Sequence, residues 1–88
     1  MAADLTDTQR VLKLIERTRL LIAIDDEMPT EIKLNTQPLL KMLEAEISVD
    51  DVDERQASRY YSALYADLAS YPDVEALLAA MRVFLPFL

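Results

Sequence analysis

Apolar positions recur along this chain at helical spacing, and the longest clean stretch of that pattern runs from Val52 to Tyr71. Ala57, Tyr60, Tyr61, Leu64, Leu68 and Tyr71 fall on one stripe there. A first helix is predicted over about 6–24. It opens on Thr6-Asp7-Thr8-Gln9, the pattern of a capping box, in which the Thr6 hydroxyl and the Gln9 amide cover free backbone N–H groups. Val11, Leu14, Ile15, Thr18, Leu21 and Ile22 make its apolar face, with Lys13, Glu16 and Arg17 opposite. Near its end Leu20 and Ile24 make the helix apolar all round. Such an end is either enclosed or waits for a partner, and we expect later helices to wrap around it.

The segment from Thr30 to Gln37 is harder to read. Ile32 and Leu34 alternate with polar neighbours like a strand, but one strand without a partner strand is not stable. Ile32, Thr36, Leu39, Leu43 and Ile47 also fit one long helical face. Pro38 opposes that reading, since an interior proline loses a hydrogen bond, costs about 3 kcal/mol and disfavours helix at the residue before it. The expectation is an extended or single-turn segment to Asn35. A second helix then runs over about 37–47 with Pro38 in its first turn, burying Leu39, Leu40, Leu43 and Ile47.

Ser48 to Asp51 offers a second capping box, and the third helix is placed at about 51–70. Its back carries Ser58, Ser62, Ala63, Ala66 and Ala69, read as ordinary helix formers on a solvent face. Pro72 opens a fourth helix, about 73–85, with Val74, Leu77, Leu78, Met81, Phe84 and Leu85 on its apolar side, and Pro86 stops it. The predicted fold is all-α: one small domain over 1–88, a compact bundle of four helices, with the third and fourth carrying most of the core.

Composition narrows the chemistry. The chain of 88 residues has no Cys, no His and no Gly. That removes thiolate nucleophiles, Cys-ligated metals and the usual side chain for proton transfer near neutral pH. It also removes the glycines on which phosphate-cradling loops and calcium loops depend. No cofactor and no metal are expected. Catalysis is left with carboxylates, hydroxyls and lysines, and no spacing singles out an acid–base pair, so we expect no enzyme. The net charge of −7 argues against direct contact with nucleic acid. No apolar run approaches the roughly 20 residues that span a bilayer. The opening MAADLTD has an acid where a signal peptide has a basic region, so a cytoplasmic protein is expected.

What remains is binding. The four tyrosines, Tyr60, Tyr61, Tyr65 and Tyr71, crowd the third helix. Tyr61 reads as core, while Tyr60 and Tyr65 on its margins are candidate contact residues. The terminal Phe84-Leu85-Pro86-Phe87-Leu88 needs cover, from the body of the fold or from another chain. Between Asp25 and Glu54 ten acids stand against two lysines. Of these, Asp50, Asp51, Asp53 and Glu54 sit where carboxylates offset a helix dipole, and they are also the candidates for steering a partner. The expected function is a non-catalytic protein–protein interaction module of adaptor, chaperone, immunity or inhibitor type, in a bacterial or phage cytoplasm. It would bind a partner protein, another chain or its own copy as a homodimer, by burying Tyr60, Tyr65, Phe84, Phe87 and Leu88, with the four acids steering the encounter.

One stretch also resembles a known family. Tyr61-Ser62-Ala63 and Leu68-Ala69, with Leu5-Thr6 and Thr8, are similar to parts of the small haemolysin-modulating nucleoid proteins of enterobacteria. Those all-helical proteins bind a DNA-binding partner. Tyr65 and Asp67 stand where that helix has an Asp and an Arg. The resemblance implies an alternative function: a small regulator acting on nucleic acid indirectly, through a DNA-binding partner or as an acidic mimic.

Overall fold

Thr6 starts the fold as its pattern predicts. In the computed structural model, which describes residues 5–88, its hydroxyl accepts from the Gln9 N–H at 3.1 Å and the Gln9 side chain accepts from the Thr6 N–H at 2.9 Å. Met1 to Asp4, on which the signal-peptide argument partly rested, lie outside the described residues. Four helices follow: α1 Asp7–Ile24, α2 Thr30–Ile47, α3 Glu54–Leu68 and α4 Pro72–Phe84, and no strand occurs among the described residues. No helix among them is long and apolar enough to cross a membrane.

Each helix packs against its chain neighbours, and α4 closes the ring on α1. The most extensive pairings are α1 on α4 and α2 on α3, while α1 and α3 lie across the bundle from one another. The core is therefore shared. Val11, Ile15 and Ile22 come from α1 and Leu40, Leu43 and Ile47 from α2. Ala57, Tyr61, Leu64 and Leu68 come from α3, and Val74, Leu78 and Met81 from α4. This corrects the expectation that α3 and α4 hold most of the core. The first two helices have weaker apolar stripes, yet each buries one side chain per turn as fully as the others do.

The second correction concerns α2. It begins at Thr30, not near Thr36, and Pro38 lies inside it. Pro38 is exposed, so its ring disturbs no packing, and only one backbone bond is lost. Against that loss, the full helix places Thr36 in the core beside partly buried Ile32, and the Thr36 hydroxyl donates to the Ile32 carbonyl at 2.7 Å. The first half of α2 also makes two bonds to α1. Lys33 Nζ donates to the Ala23 carbonyl at 3.3 Å, and Gln37 Nε2 donates to the Arg19 carbonyl at 3.2 Å. The α1 C-terminus has no basic residue of its own in its last turn, so Lys33 supplies the charge its free carbonyls favour. The turn before α2 is held by Asp25, whose carboxylate accepts from the N–H groups of Glu27 and Met28, and buried Met28 plugs it.

The third correction moves the start of α3. Ser48 does not cap it: the Ser48 hydroxyl donates back to the Glu44 carbonyl at 2.6 Å, at the end of α2. Asp53 is the cap, accepting from the Gln56 N–H at 3.1 Å. The competing acceptor wins because Ser48 follows directly on a helix whose last carbonyls lack partners.

Candidate interaction surface

The residues singled out from the sequence do not form one surface. Tyr60 and Tyr65 flank buried Tyr61 on opposite sides of the α3 stripe. Tyr60 is half-buried, and its hydroxyl accepts from Gln56 Nε2 at 2.7 Å. Tyr65 is 38% exposed, and its hydroxyl donates to the Glu75 carboxylate at 2.9 Å. That bond raises the Tyr65 phenol above its ordinary value, helped by the Glu75 charge. Tyr61 donates to the Leu78 carbonyl at 2.6 Å, and burial raises it too, against the opposing pull of Arg82. These two bonds tie α3 to α4.

The C-terminal strip folds inward. After α4 the Leu88 N–H bonds the Leu85 carbonyl, and the turn so formed buries Leu88 to 6% exposure. Leu88 is therefore not a contact residue: the body of the fold supplies its cover. It lies with Tyr61, Ser62, Tyr65 and Ala66 in one hollow, and Phe87 lies with Ser58 and Ser62 in the next, between Arg55 and Arg59. Ser58, Ser62 and Ala66 on the back of α3 line these open hollows, but only Ser58 is half-buried; Ser62 and Ala66 are exposed, in keeping with the solvent face expected there. Ala63 and Ala69 remain exposed. Phe84 is half-buried under the Arg10 guanidinium, 5.4 Å from its ring centre, which is cation–π geometry.

The four acids part in the same way. Asp53 is spent as the α3 cap and Glu54 opens that helix, while Asp50 and Asp51 are exposed in the preceding connection. No group of three or more acidic side chains among the described residues is placed to hold one metal ion.

What sequence reasoning misplaced is the outer side of α1 and α2. Leu20 is 56% exposed, Ile24 70% and Leu34 69%; Ile24 borders an open hollow with Pro72, Asp73 and Val74 at the start of α4, and none of the three is covered. The two side-chain bonds from α2 to Arg19 and Ala23 set the helices antiparallel. Leu34 then comes level with the stretch between Leu20 and Ile24. The signal was present in the all-round apolar end of α1, but the later helices expected to wrap it leave these side chains in water, although α4 packs extensively on α1. Val83, 75% exposed on α4, stands beside Tyr65 and Ala79 and is the one comparable aliphatic on that half.

Set against family models, curated proteins and solved structures, the chain matches none. No family assignment follows, and the partial likeness of α3 to the haemolysin-modulating proteins carries no argument about partners.

Proposed function

We propose that this chain is a non-catalytic protein–protein interaction module and that its docking surface is the outer side of α1 and α2. The observation that carries this reading is the exposure of Leu20, Ile24 and Leu34 on adjoining helices. Single exposed aliphatics are ordinary, but neighbouring large ones on a domain this short of core mark an interface. The reading keeps the function class drawn from the sequence and moves the surface. The terminal aromatic strip has cover within its own chain, and Leu88 is core. A cytoplasmic setting belongs to the proposal, as does the absence of catalysis, which rests on a sequence without His or Cys. Indirect action on nucleic acid gains no separate observation.

The test is a photo-activated crosslinker placed at Leu20, at Leu34 and at exposed Ala63 in turn, in the native cell. The reading expects discrete protein adducts from Leu20 and Leu34 and none from Ala63. Equal, diffuse labelling from all three positions sinks it.

A further inference from the structure

The outer side of α1 and α2 has an ordered polarity. On α1 the stripe at i, i+4, i+7 and i+11 reads Lys13, Arg17, Leu20, Ile24, and it leads into exposed Asp26 and Glu27. On α2 the outward stripe reads Glu31, Leu34, Pro38, Lys41. All of these side chains are exposed. The helices run antiparallel, in the register set by the Gln37 and Lys33 bonds to the Arg19 and Ala23 carbonyls. Both stripes therefore change in the same direction across the face. Lys13, Arg17 and Lys41 share one end, the aliphatics and Pro38 the middle, and Asp26, Glu27 and Glu31 the other end. Glu16, an acid at the cationic end of α1, is engaged by Arg19.

We infer that this face binds a second copy of the same chain in a two-fold dimer. An isologous interface has to be complementary to itself, and a face with an apolar middle and opposite charges at its two ends meets that condition. Place the two-fold axis across both helices, passing near Leu20 on α1 and level with Thr36 on α2. Each helix then lies antiparallel on its own counterpart. Leu20 meets its own copy, and Leu34 meets Pro38 of the second copy. Lys13 comes opposite Glu27, and Glu31 opposite Lys41. The alternative axis, along the helices, sets like charges together and is disfavoured. The net charge of −7 does not oppose this contact, because positive and negative residues are balanced within the face and the excess lies elsewhere on the molecule.

The inference rests on the reading of this side as a docking surface, and its test separates the two. Three full-length proteins are compared by light scattering from micromolar to roughly millimolar concentration: the natural chain, Lys13→Glu with Lys41→Glu, and Glu27→Lys with Glu31→Lys. All four substituted side chains are exposed, and circular dichroism checks that helicity is kept. The natural chain is expected at twice its 10.0 kDa mass. Each doubly substituted protein alone is expected as monomer, since every charged pair becomes repulsive. An equimolar mixture of the two is expected to recover the doubled mass, because all the pairs are then opposite again. Leu20→Ser with Ile24→Ser is the second route, and it is expected to yield monomer without touching charge. A natural chain that stays monomeric throughout overturns the dimer and leaves the wider docking reading to the crosslinking result. A dimer that survives both charge sets and the Leu20→Ser, Ile24→Ser change also overturns it, by placing the contact on another face.

Discussion

The two hairpins of this bundle treat their apolar surplus in opposite ways. The apolar surplus of α3 and α4 is covered from within the chain. Tyr61 and Tyr65 reach across to α4, the terminal turn carries Leu88 back onto α3, and Arg10 from α1 lies over Phe84. α1 and α2 are held by bonds from Lys33 and Gln37 to backbone carbonyls, and their buried hydroxyls, Thr18 and Thr36, each bond a carbonyl of their own helix. Their largest surplus side chains, Leu20, Ile24 and Leu34, point out. The richer apolar composition belongs to α4 and the terminal turn, yet the exposed aliphatics gather on the other hairpin. Hydrophobic content alone is thus a poor guide to where a domain meets a partner. What matters is whether the chain itself has a segment free to return and cover the surplus.

If α3 and α4 are sealed by the returning terminus, then opening that seal has the largest effect. Leu88→Ala removes a buried side chain and is expected to cost about 2 kcal/mol, at the low end of the range for buried leucines because its 6% exposure leaves it at the edge of the core. Urea unfolding reads this as a lower midpoint with little change of slope. The same truncation at Leu34 is expected to leave the midpoint in place. Equal effects at the two positions would erase the contrast between the hairpins.

Much of this was legible beforehand, and the failures have physical causes. The Thr6 to Gln9 capping box and the stripes of α1, α3 and α4 depend on neighbours three and four residues apart, which a sequence displays directly. Pro38 misled because its local cost of about 3 kcal/mol is visible, whereas the long-range gains at Lys33, Thr36 and Gln37 are not. Ser48 was ambiguous for a related reason. A hydroxyl between two helices serves whichever has the nearer free group, and the Glu44 carbonyl took it. The candidate surface failed at a higher level. Leu20 and Ile24 stood out as needing cover, and so did Phe87 and Leu88. Nothing local says which of the two sets the fold will reach.

A smaller effect tests the cross-bond between α3 and α4. Tyr61→Phe loses the hydroxyl that donates to the Leu78 carbonyl, at a cost of about 1 kcal/mol near neutral pH. The loss should depend on pH. Burial holds the folded Tyr61 phenol above the ordinary value of 10.0 that the unfolded chain keeps. Its contribution is then fully present below pH 10 and declines as the pH rises from there through the folded value, because the unfolded chain releases the proton first. The gap in urea midpoint between natural chain and Tyr61→Phe should narrow above that pH. A gap constant across that range would mean that burial does not hold the phenol protonated.

The smallest expected effect bears most on function. Leu20→Ser with Leu34→Ser removes two large aliphatics, yet in dilute solution, where any second copy has dissociated, stability should change by less than about 0.5 kcal/mol. Side chains that already stand in water lose no burial when truncated. The comparison sharpens with concentration. Binding to the folded state adds stability by mass action, so the natural chain should gain unfolding midpoint as its concentration rises and the substituted chain should not. A substituted chain that is markedly less stable even when dilute would show these leucines to be part of the fold's own core. The outer side of α1 and α2 would then be one more sealed surface, like the base of α3 and α4.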